Sequence, residues 1–345
     1  MINSVYQLIS PKVFSVKYTD ISYSDKVIVR PEYLAICHAD QRYFLGQRDI
    51  KVLNKKLPMA LIHECCGIVV ADPTGTFAPG QHVVMIPNTP IRKNEVIFEN
   101  YDKGTYFLSS GHDGFMRELV DLPPDRVVAY NGVDDVVAAV TEFVSVTVHA
   151  STRFDLAAHK NRDVIGVWGD GSLSYTLCNV LKKRFPKSKI YVVGMDKGKL
   201  SHFTFVDKTF IAGELPEDFS VDHAFECCGG EGSFYAIDDI IRTINPQGTV
   251  MLMGVSENKV AINTRDILEK GLTFVGSSRS GRDDFEKAVE LMERKDKGRK
   301  DYYNYYTFGD WGVASTYDLC LDSGILGIEG TAEFIIEYAR RAGLL

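Results

Sequence analysis

Residue types able to bind a metal gather in three short groups of this sequence. "EYLAICHADQRYF" carries Cys37, His38 and Asp40 within four positions, at the end of a β-like run. "LIHECCGIVV" sets His63 beside Glu64 just before another such run, and "VTEFVSVTVHAS" puts Glu142 in a helix-like segment. Cysteine, histidine and carboxylate are suitable zinc ligands, and a catalytic zinc keeps one position open for water or substrate. Each group taken singly also has a plain reading. A lone cysteine is usually a buried small hydrophobe, a lone histidine a hydrogen-bonded core residue, and Glu64 a surface charge.

A second chemistry is written in "VIGVWGDGSLSY". Gly169 and Gly171 open a G-x-G-x-x-S turn between a strand-like run and a helical pattern. The first glycine allows the tight turn, the second lets a pyrophosphate approach the backbone, and Ser174 holds the place of the third small residue. Free N–H groups at the helix start, around Ser172 and Leu173, would bind the phosphates. An NAD site usually has Asp or Glu at the end of the next strand. Here "VVGMDKGKL" has Gly194 in that position, with Lys197 and Lys199 close by. A missing carboxylate beside cations suits the 2′-phosphate of NADP. The alternative is that the lysines are solvated helix-start residues.

These groups need a scaffold, and the chain reads as two rhythms. To about residue 150, short β-like runs (Lys26–Arg30, Gly67–Val70, His82–Ile86, Arg126–Ala129) alternate with turn signals, which predicts a small, mainly β domain. Residues 88–114 break the pattern and could cover a site. From about 160, strand-like runs recur at Val164–Trp168, Ile190–Val193, Thr209–Ala212, His223–Cys227, Thr249–Met253 and Leu272–Val275, with helical segments between most of them. Leu173, Leu177, Val180 and Leu181 share one helix face. The alternation predicts a doubly wound parallel sheet. The division expected is 1–150, 151–295 and a charged, aromatic tail at 296–345 of uncertain packing, with a closing helix over Phe334–Arg341.

Composition narrows the function class. The 345 residues are 45% hydrophobic and 25% charged, with a net charge of −7. That is an ordinary globular make-up, and it argues against bulk attraction to nucleic acid or an anionic membrane. An anionic ligand must be met by local basic groups. The N-terminal segment lacks a signal-peptide pattern and no apolar run could span a bilayer, so the expected location is cytoplasmic. Seven cysteines, two pairs of them adjacent, form no disulfide framework and no CxxC zinc site.

Taken in order, Cys37, His63-Glu64, Glu142 and the Gly169 turn resemble the zinc-dependent medium-chain alcohol and polyol dehydrogenases. "AICHAD" and "IHECCGIVV" are similar to that family's ligand motifs, with Ile62 at a usual glycine, and "DGFMRELVDLPPDRVVAY" to the segment closing its catalytic domain. "HAFECCGG" and "INPQGTVMLMGV" are similar to its later cofactor-domain strands. "CHADQRYFLGQRD", "NKKLPMALIHE", "SSGHDGFM" and "EKGLTFVGSSRSGRDDFE" resemble, more closely, ribulose-5-phosphate reductases of the TarJ type.

The resemblance implies a GroES-like catalytic domain followed by a Rossmann domain, one zinc ion, and NADPH reduction of D-ribulose 5-phosphate to D-ribitol 5-phosphate. It implies Cys37 and His63 as ligands, Glu64 and Glu142 as ligands or near-ligands, and Asp40 as the carboxylate that orients the ligand histidine. Around the cofactor it implies Cys227, Gly254, Val255 and Arg279. The substrate phosphate needs cations, for which Arg42 and Arg48, a few residues past Cys37, are the candidates, with His112 next; solvated loop charges are the alternative. The product would feed a cytidylyltransferase that makes CDP-ribitol for teichoic acid or capsule, and that enzyme is a possible partner of a homodimer. Three features depart from the family. Ala39 replaces the hydroxyl that relays the proton, so water, Glu64 or His38 must serve. The four-cysteine zinc lobe is absent. The tail after Lys295 does not show the family's re-entry into the first domain. Two further readings remain open: a polyol dehydrogenase of other specificity, and a catalytically silent cofactor-binding scaffold.

Overall fold

The computed structural model describes residues 2–21 and 24–307 and, near the C-terminus, 333, 336, 337, 340 and 341. The chain divides into two compact units, Met1–Glu293 and Arg294–Leu345. The expected closing helix and the packing of the tail lie largely outside the described residues.

The first unit opens with a hairpin, β1 (Ile2–Ser10) and β2 (Val13–Asp20). β3 (Val27–Ala35) leads into two short helices, α1 (His38–Phe44) and α2 (Ile50–Lys56). β4 (Met59–Ala60), β5 (Glu64–Ala71), β6 (His82–Met85), β7 (Asn88–Thr89), β8 (Tyr106–Phe107), β9 (Val120–Leu122) and β10 (Val127–Ala129) complete the β-rich part. Five strands pair antiparallel in the order β10-β6-β5-β3-β9, and β1 bridges β2 and β4 in a second sheet. Val27, Val29, Val69, Val83, Met85 and Phe115 fill the core of the larger sheet. The short continuous apolar runs that mark these strands in sequence fit a sheet buried on both faces, with Val83 and Met85 in this core and Val84, Ile86 and Val128 in a second one. The β1–β2 hairpin inverts the usual apolar-in pattern: β2 leaves Phe14, Val16 and Tyr18 exposed, while β1 buries Asn3 and Gln7 beside Val5.

α3 (Asp135–Ala138) precedes α4 (Thr141–Ala157), which runs across position 150 and leads into the second sheet. There follow β11 (Val164–Trp168), α5 (Ser172–Arg184), β12 (Lys189–Gly194), α6 (Lys197–Leu200), β13 (Lys208–Ile211), β14 (His223–Glu226), α7 (Gly232–Thr243), β15 (Thr249–Leu252), α8 (Thr264–Lys270), β16 (Thr273–Gly276) and α9 (Arg282–Thr307). All six strands are parallel, in the order β13-β12-β11-β14-β15-β16. β11 lies between β12 and β14, so the winding reverses beside it. In open α/β sheets ligands bind at the carboxyl ends of the strands at such a reversal. Ile165, Val167, Leu177, Leu181, Ile190 and Phe225 pack the core beneath it. The fold is thus α/β, a β-rich domain joined to a Rossmann sheet.

Candidate active site

Cys37 ends β3 and serves as the N-cap of α1. Its amide and thiol both donate to Asp40 Oδ2, at 3.2 and 3.1 Å. The other oxygen, Asp40 Oδ1, accepts from the Ile62 amide at 3.0 Å and from Ser109 Oγ at 3.2 Å. Asp40 therefore ties α1, the segment before β5 and the 88–114 loop to one buried carboxylate. The expected role needs correction here: Asp40 bonds to Cys37 and to the residue before His63, and not to the His63 ring. A short polar residue four positions into a capping pattern satisfies the helix end before it can reach a more distant ring.

Ile62 stands where the family usually has glycine, and its φ is +70°. This left-handed region costs an L-residue roughly 1–2 kcal/mol, and more for a β-branched one. Its amide is held by Asp40, its carbonyl accepts from Phe115 at 2.7 Å, and its side chain is buried with Leu8, Tyr43, Leu53 and Met59. These contacts offset the strain and turn the chain so that His63 and Glu64 face Cys37.

His63 Nε2 lies 3.5 Å from Cys37 Sγ. One ligand atom from each of His63, Glu64 and Glu142 falls within 4.8 Å of the others, and the same holds for Cys37, Asp40 and His63. Glu64 and Glu142 are both buried. Burial first, and then the Asp40 charge, pushes the Glu64 carboxyl up to about 7. Glu142, at the start of α4, is held well above the usual carboxyl range by burial and by the Glu64 and Asp40 charges. Burial holds the His63 imidazole below its usual range, and burial and Asp40 raise the Cys37 thiol. His63 Nδ1 is buried with no hydrogen-bond partner. Three crowded carboxyls, a thiol and a half-paired imidazole form a donor set that a divalent cation would neutralise, and sulfur with nitrogen and carboxylate oxygen suits zinc.

Arg279, expected at the cofactor, also lies beside this cluster. Its guanidinium lies 4.8 Å from the centre of the Phe107 ring, whose edge meets His63 at 5.2 Å between centroids. The Glu142 charge acts on it, against the larger effect of burial. Arg279 has φ +60°. The loop grips the segment before it: Asn100 Nδ2 donates to the Ser278 carbonyl and the Ser278 amide donates to Tyr101 Oη, both at 3.0 Å. His149, buried in α4, bonds Asp284 at 2.8 Å and Asn100 at 3.1 Å. The 88–114 loop thus covers the cluster with Phe107 and Ser109. "SSGHDGFM" marked the loop in sequence, but nothing local in it identified Ser109 as a partner of Asp40.

Arg42 and Arg48 are half-buried rather than free. Both donate to one oxygen of Glu257, in the loop after β15, and the Arg48 contact is 3.1 Å. Arg48 also lies over the Tyr43 ring at 4.7 Å, and Lys56 approaches the same ring at 5.7 Å. His38 is exposed at the start of α1. His112 is exposed too, and stacks on Tyr106 with 4.4 Å between centroids.

The expected cofactor residues converge on the carboxyl edge of the parallel sheet. Gly169 follows β11 with φ +131°, and a Cβ there would lie 2.7 Å from Ser174 Oγ, so only glycine fits. Gly171 caps α5 without supplying a side chain to the first-turn amides of Ser172 and Leu173, and a Cβ on it would meet open space. Gly194 ends β12, and Lys197 and Lys199 lie in α6. Cys227 follows β14, while Gly254 and Val255 follow β15. Glu226, which the sequence reading passed over, is the strut between these two loops. Its carboxylate accepts from the amides of Cys228 (2.9 Å), Gly229 (3.1 Å) and Gly254 (3.0 Å) and from Ser233 Oγ (3.0 Å). Uncapped helix-start amides beside an obligatory glycine at 169 and open space at Gly171 are a cradle for a pyrophosphate.

Comparison with known proteins decides the family. The alcohol dehydrogenase GroES-like domain matches residues 23–132 and the zinc-binding dehydrogenase domain residues 211–294. A ribulose-5-phosphate reductase of Streptococcus pneumoniae is 56% identical over 298 residues, covering 86% of each chain. The chain belongs to the zinc-binding dehydrogenases. It is an oxidoreductase of that family and groups with its ribulose-5-phosphate reductases. A Bacillus spizizenii ribulose-5-phosphate reductase is 51% identical over 294 residues, covering 85% of this chain and 86% of its own. The crystal structure of Staphylococcus aureus TarJ in complex with NADPH superposes with a TM-score of 0.76 at 46% identity, covering 86% of this chain and 89% of that one. Residues 272–325 also match a cytidylate kinase-like family, a stretch that ends outside the described residues.

Proposed function

We propose that this protein is a zinc-dependent NADPH reductase that converts D-ribulose 5-phosphate to D-ribitol 5-phosphate. The observation that carries the reading is the donor set beneath a loop, in which His63 Nε2 meets Cys37 Sγ and one ligand atom of His63 lies within 4.8 Å of the buried Glu64 and Glu142 carboxylates. Relatives named ribulose-5-phosphate reductases, at 50–56% identity, support the substrate. The NADPH bound by the TarJ neighbour supports the cofactor.

Cys37 and His63 would hold the zinc with Glu64 or Glu142, and the ion would act as a Lewis acid on the C2 carbonyl while NADPH supplies the hydride. The chain's own residues do the rest. Asp40 fixes the thiol against the start of α1, which pre-sets its direction. Phe107 and the loop behind it shield the cluster from water. The amides of Ser172 and Leu173 hold the pyrophosphate, while Lys197 and Lys199 answer the 2′-phosphate. Arg42 and Arg48 take the substrate phosphate. With Ala39 in place of a hydroxyl, the proton for the new alcohol passes through Glu64 or His38.

The product suits a cytidylyltransferase making CDP-ribitol for teichoic acid or capsule, and we propose a cytoplasmic homodimer that supplies it. Free cysteines fit a reducing compartment. Among the described residues, no helix is long and apolar enough to cross a membrane. NADPH oxidation against a panel of phosphorylated and free ketoses tests the assignment. A rate with ribulose 5-phosphate well above all others is expected, and equal turnover of free ribulose would refute it.

A further inference from the structure

Arg42 and Arg48 converge on a single oxygen of a single carboxylate, and that carboxylate belongs to the other domain. Arg42 sits in the last turn of the helix that Cys37 opens, and Arg48 lies just beyond it. Glu257 reaches them from the loop that follows β15. On the cofactor side this loop is tied down: Val255 accepts from the Gly230 amide at 3.0 Å, and Ser256 Oγ donates to the Gly230 carbonyl at 2.8 Å. The two arginines are mostly covered, with side chains 16% and 18% exposed, while Glu257 is 49% exposed. Arg48 Nε is buried without a partner. Two guanidinium groups thus face one negative charge, and part of their donor capacity is unused.

We propose that Glu257 occupies the position of the substrate phosphate in the unliganded protein and that the phosphate displaces it. The reading rests on Arg42 and Arg48 being the phosphate ligands. A phosphate dianion matches the two positive charges and offers several oxygens to guanidinium forks that one carboxylate oxygen cannot fill. The pair with Glu257 is half in solvent, and such pairs are weak enough to exchange. Displacement breaks this loop's tie to Arg42 and Arg48 while its bonds to Gly230 and Glu226 remain, so arrival of the phosphate is felt on the cofactor side of the cleft. Glu257 is therefore a specificity-determining residue: a ligand without a phosphate has nothing with which to replace it.

The test uses the full-length chain with inorganic phosphate as the probe, its binding measured by calorimetry, alongside the KM for ribulose 5-phosphate. Glu257→Gln is expected to tighten both by about two- to fivefold, the range of an exposed ion pair, with the shift confined to phosphorylated ligands. Glu257→Asp, one methylene shorter, is expected to move them in the same direction. Weaker phosphate binding in these variants would mean that Glu257 holds the arginines in place for the substrate, and unchanged binding that it does not compete; either result overturns the proposal. Failure of the underlying reading is separate: Arg42→Ala and Arg48→Ala would then bind inorganic phosphate like the wild type.

Discussion

The side chain of Asp170 fills the space that a side chain at position 194 would need. A Cβ on Gly194 would lie 2.7 Å from the Asp170 Cβ. Asp170 Oδ2 accepts from the amides of Met195 and Asp196 at 2.8 and 2.9 Å, and Lys199 Nζ stands 3.9 Å from Oδ1. The strand end that lacks its own carboxylate therefore has one folded over from the glycine turn, already committed to backbone donors. A Gly194→Asp substitution would clash with Asp170 whatever cofactor binds, so the lysines are the better probe of cofactor choice.

Lys197→Ala and Lys199→Ala together are expected to raise the KM for NADPH and leave that for NADH nearly unchanged. A charge-assisted hydrogen bond is worth roughly 1.5–3 kcal/mol, which corresponds to about 10- to 100-fold. Fluorescence titration with both nucleotides measures the ratio. If the ratio does not move, the 2′-phosphate is met elsewhere.

Cys37→Ser is expected to lower bound zinc and turnover together, because Cys37 heads the donor set. Glu142→Gln removes one of three crowded buried carboxyls and should also weaken zinc binding. Chelation of the wild type is expected to lower its melting temperature, since a ligand bound only to the folded state stabilises it. Metal analysis and thermal melts check both. Full zinc occupancy in the Cys37 variant would remove that residue from the site.

Arg42→Ala or Arg48→Ala should each cost on the order of 10- to 100-fold in kcat/KM for ribulose 5-phosphate, by the same charge-assisted bond. With unphosphorylated ribulose the baseline is expected to be poor and the loss small. Equal losses on the two substrates would mean that the arginines support α1 and the Glu257 loop only.

His223 should make the Rossmann sheet acid-sensitive. Its ring is fully buried, donates from Nε2 to the Asn161 carbonyl and accepts at Nδ1 from the Thr249 amide, both at 3.0 Å. Burial, and then the neighbouring His159, lower its pKa from 6.5 to about 4. The unfolded chain takes up a proton near pH 6.5, and the folded ring does not until about pH 4. Stability is therefore complete above pH 6.5 and falls as the pH drops through that window, by up to about 3 kcal/mol. Urea unfolding at pH 7 and pH 4.5 measures the fall. His223→Gln should make it shallower, and an equal fall in that variant would assign the acid sensitivity to other groups.

The sequence by itself determined the local frame of this protein. The six parallel strands lie within a residue or two of the apolar runs that announce them, because strand and helix periodicity is carried by neighbours in the chain. Gly169 could be read as obligatory, since a tight turn into a helix leaves few choices, and the donor residues could be named from their types and order. Only the tertiary structure decided what those residues touch. Asp40 turned from His63 to Cys37 and the Ile62 amide, Arg279 came beside the carboxylate cluster, and Asp170 closed the end of β12. Arg42 met Glu257, 215 positions away. Such pairings depend on where the chain folds back on itself, and a charge 215 residues distant leaves no mark on local periodicity or spacing.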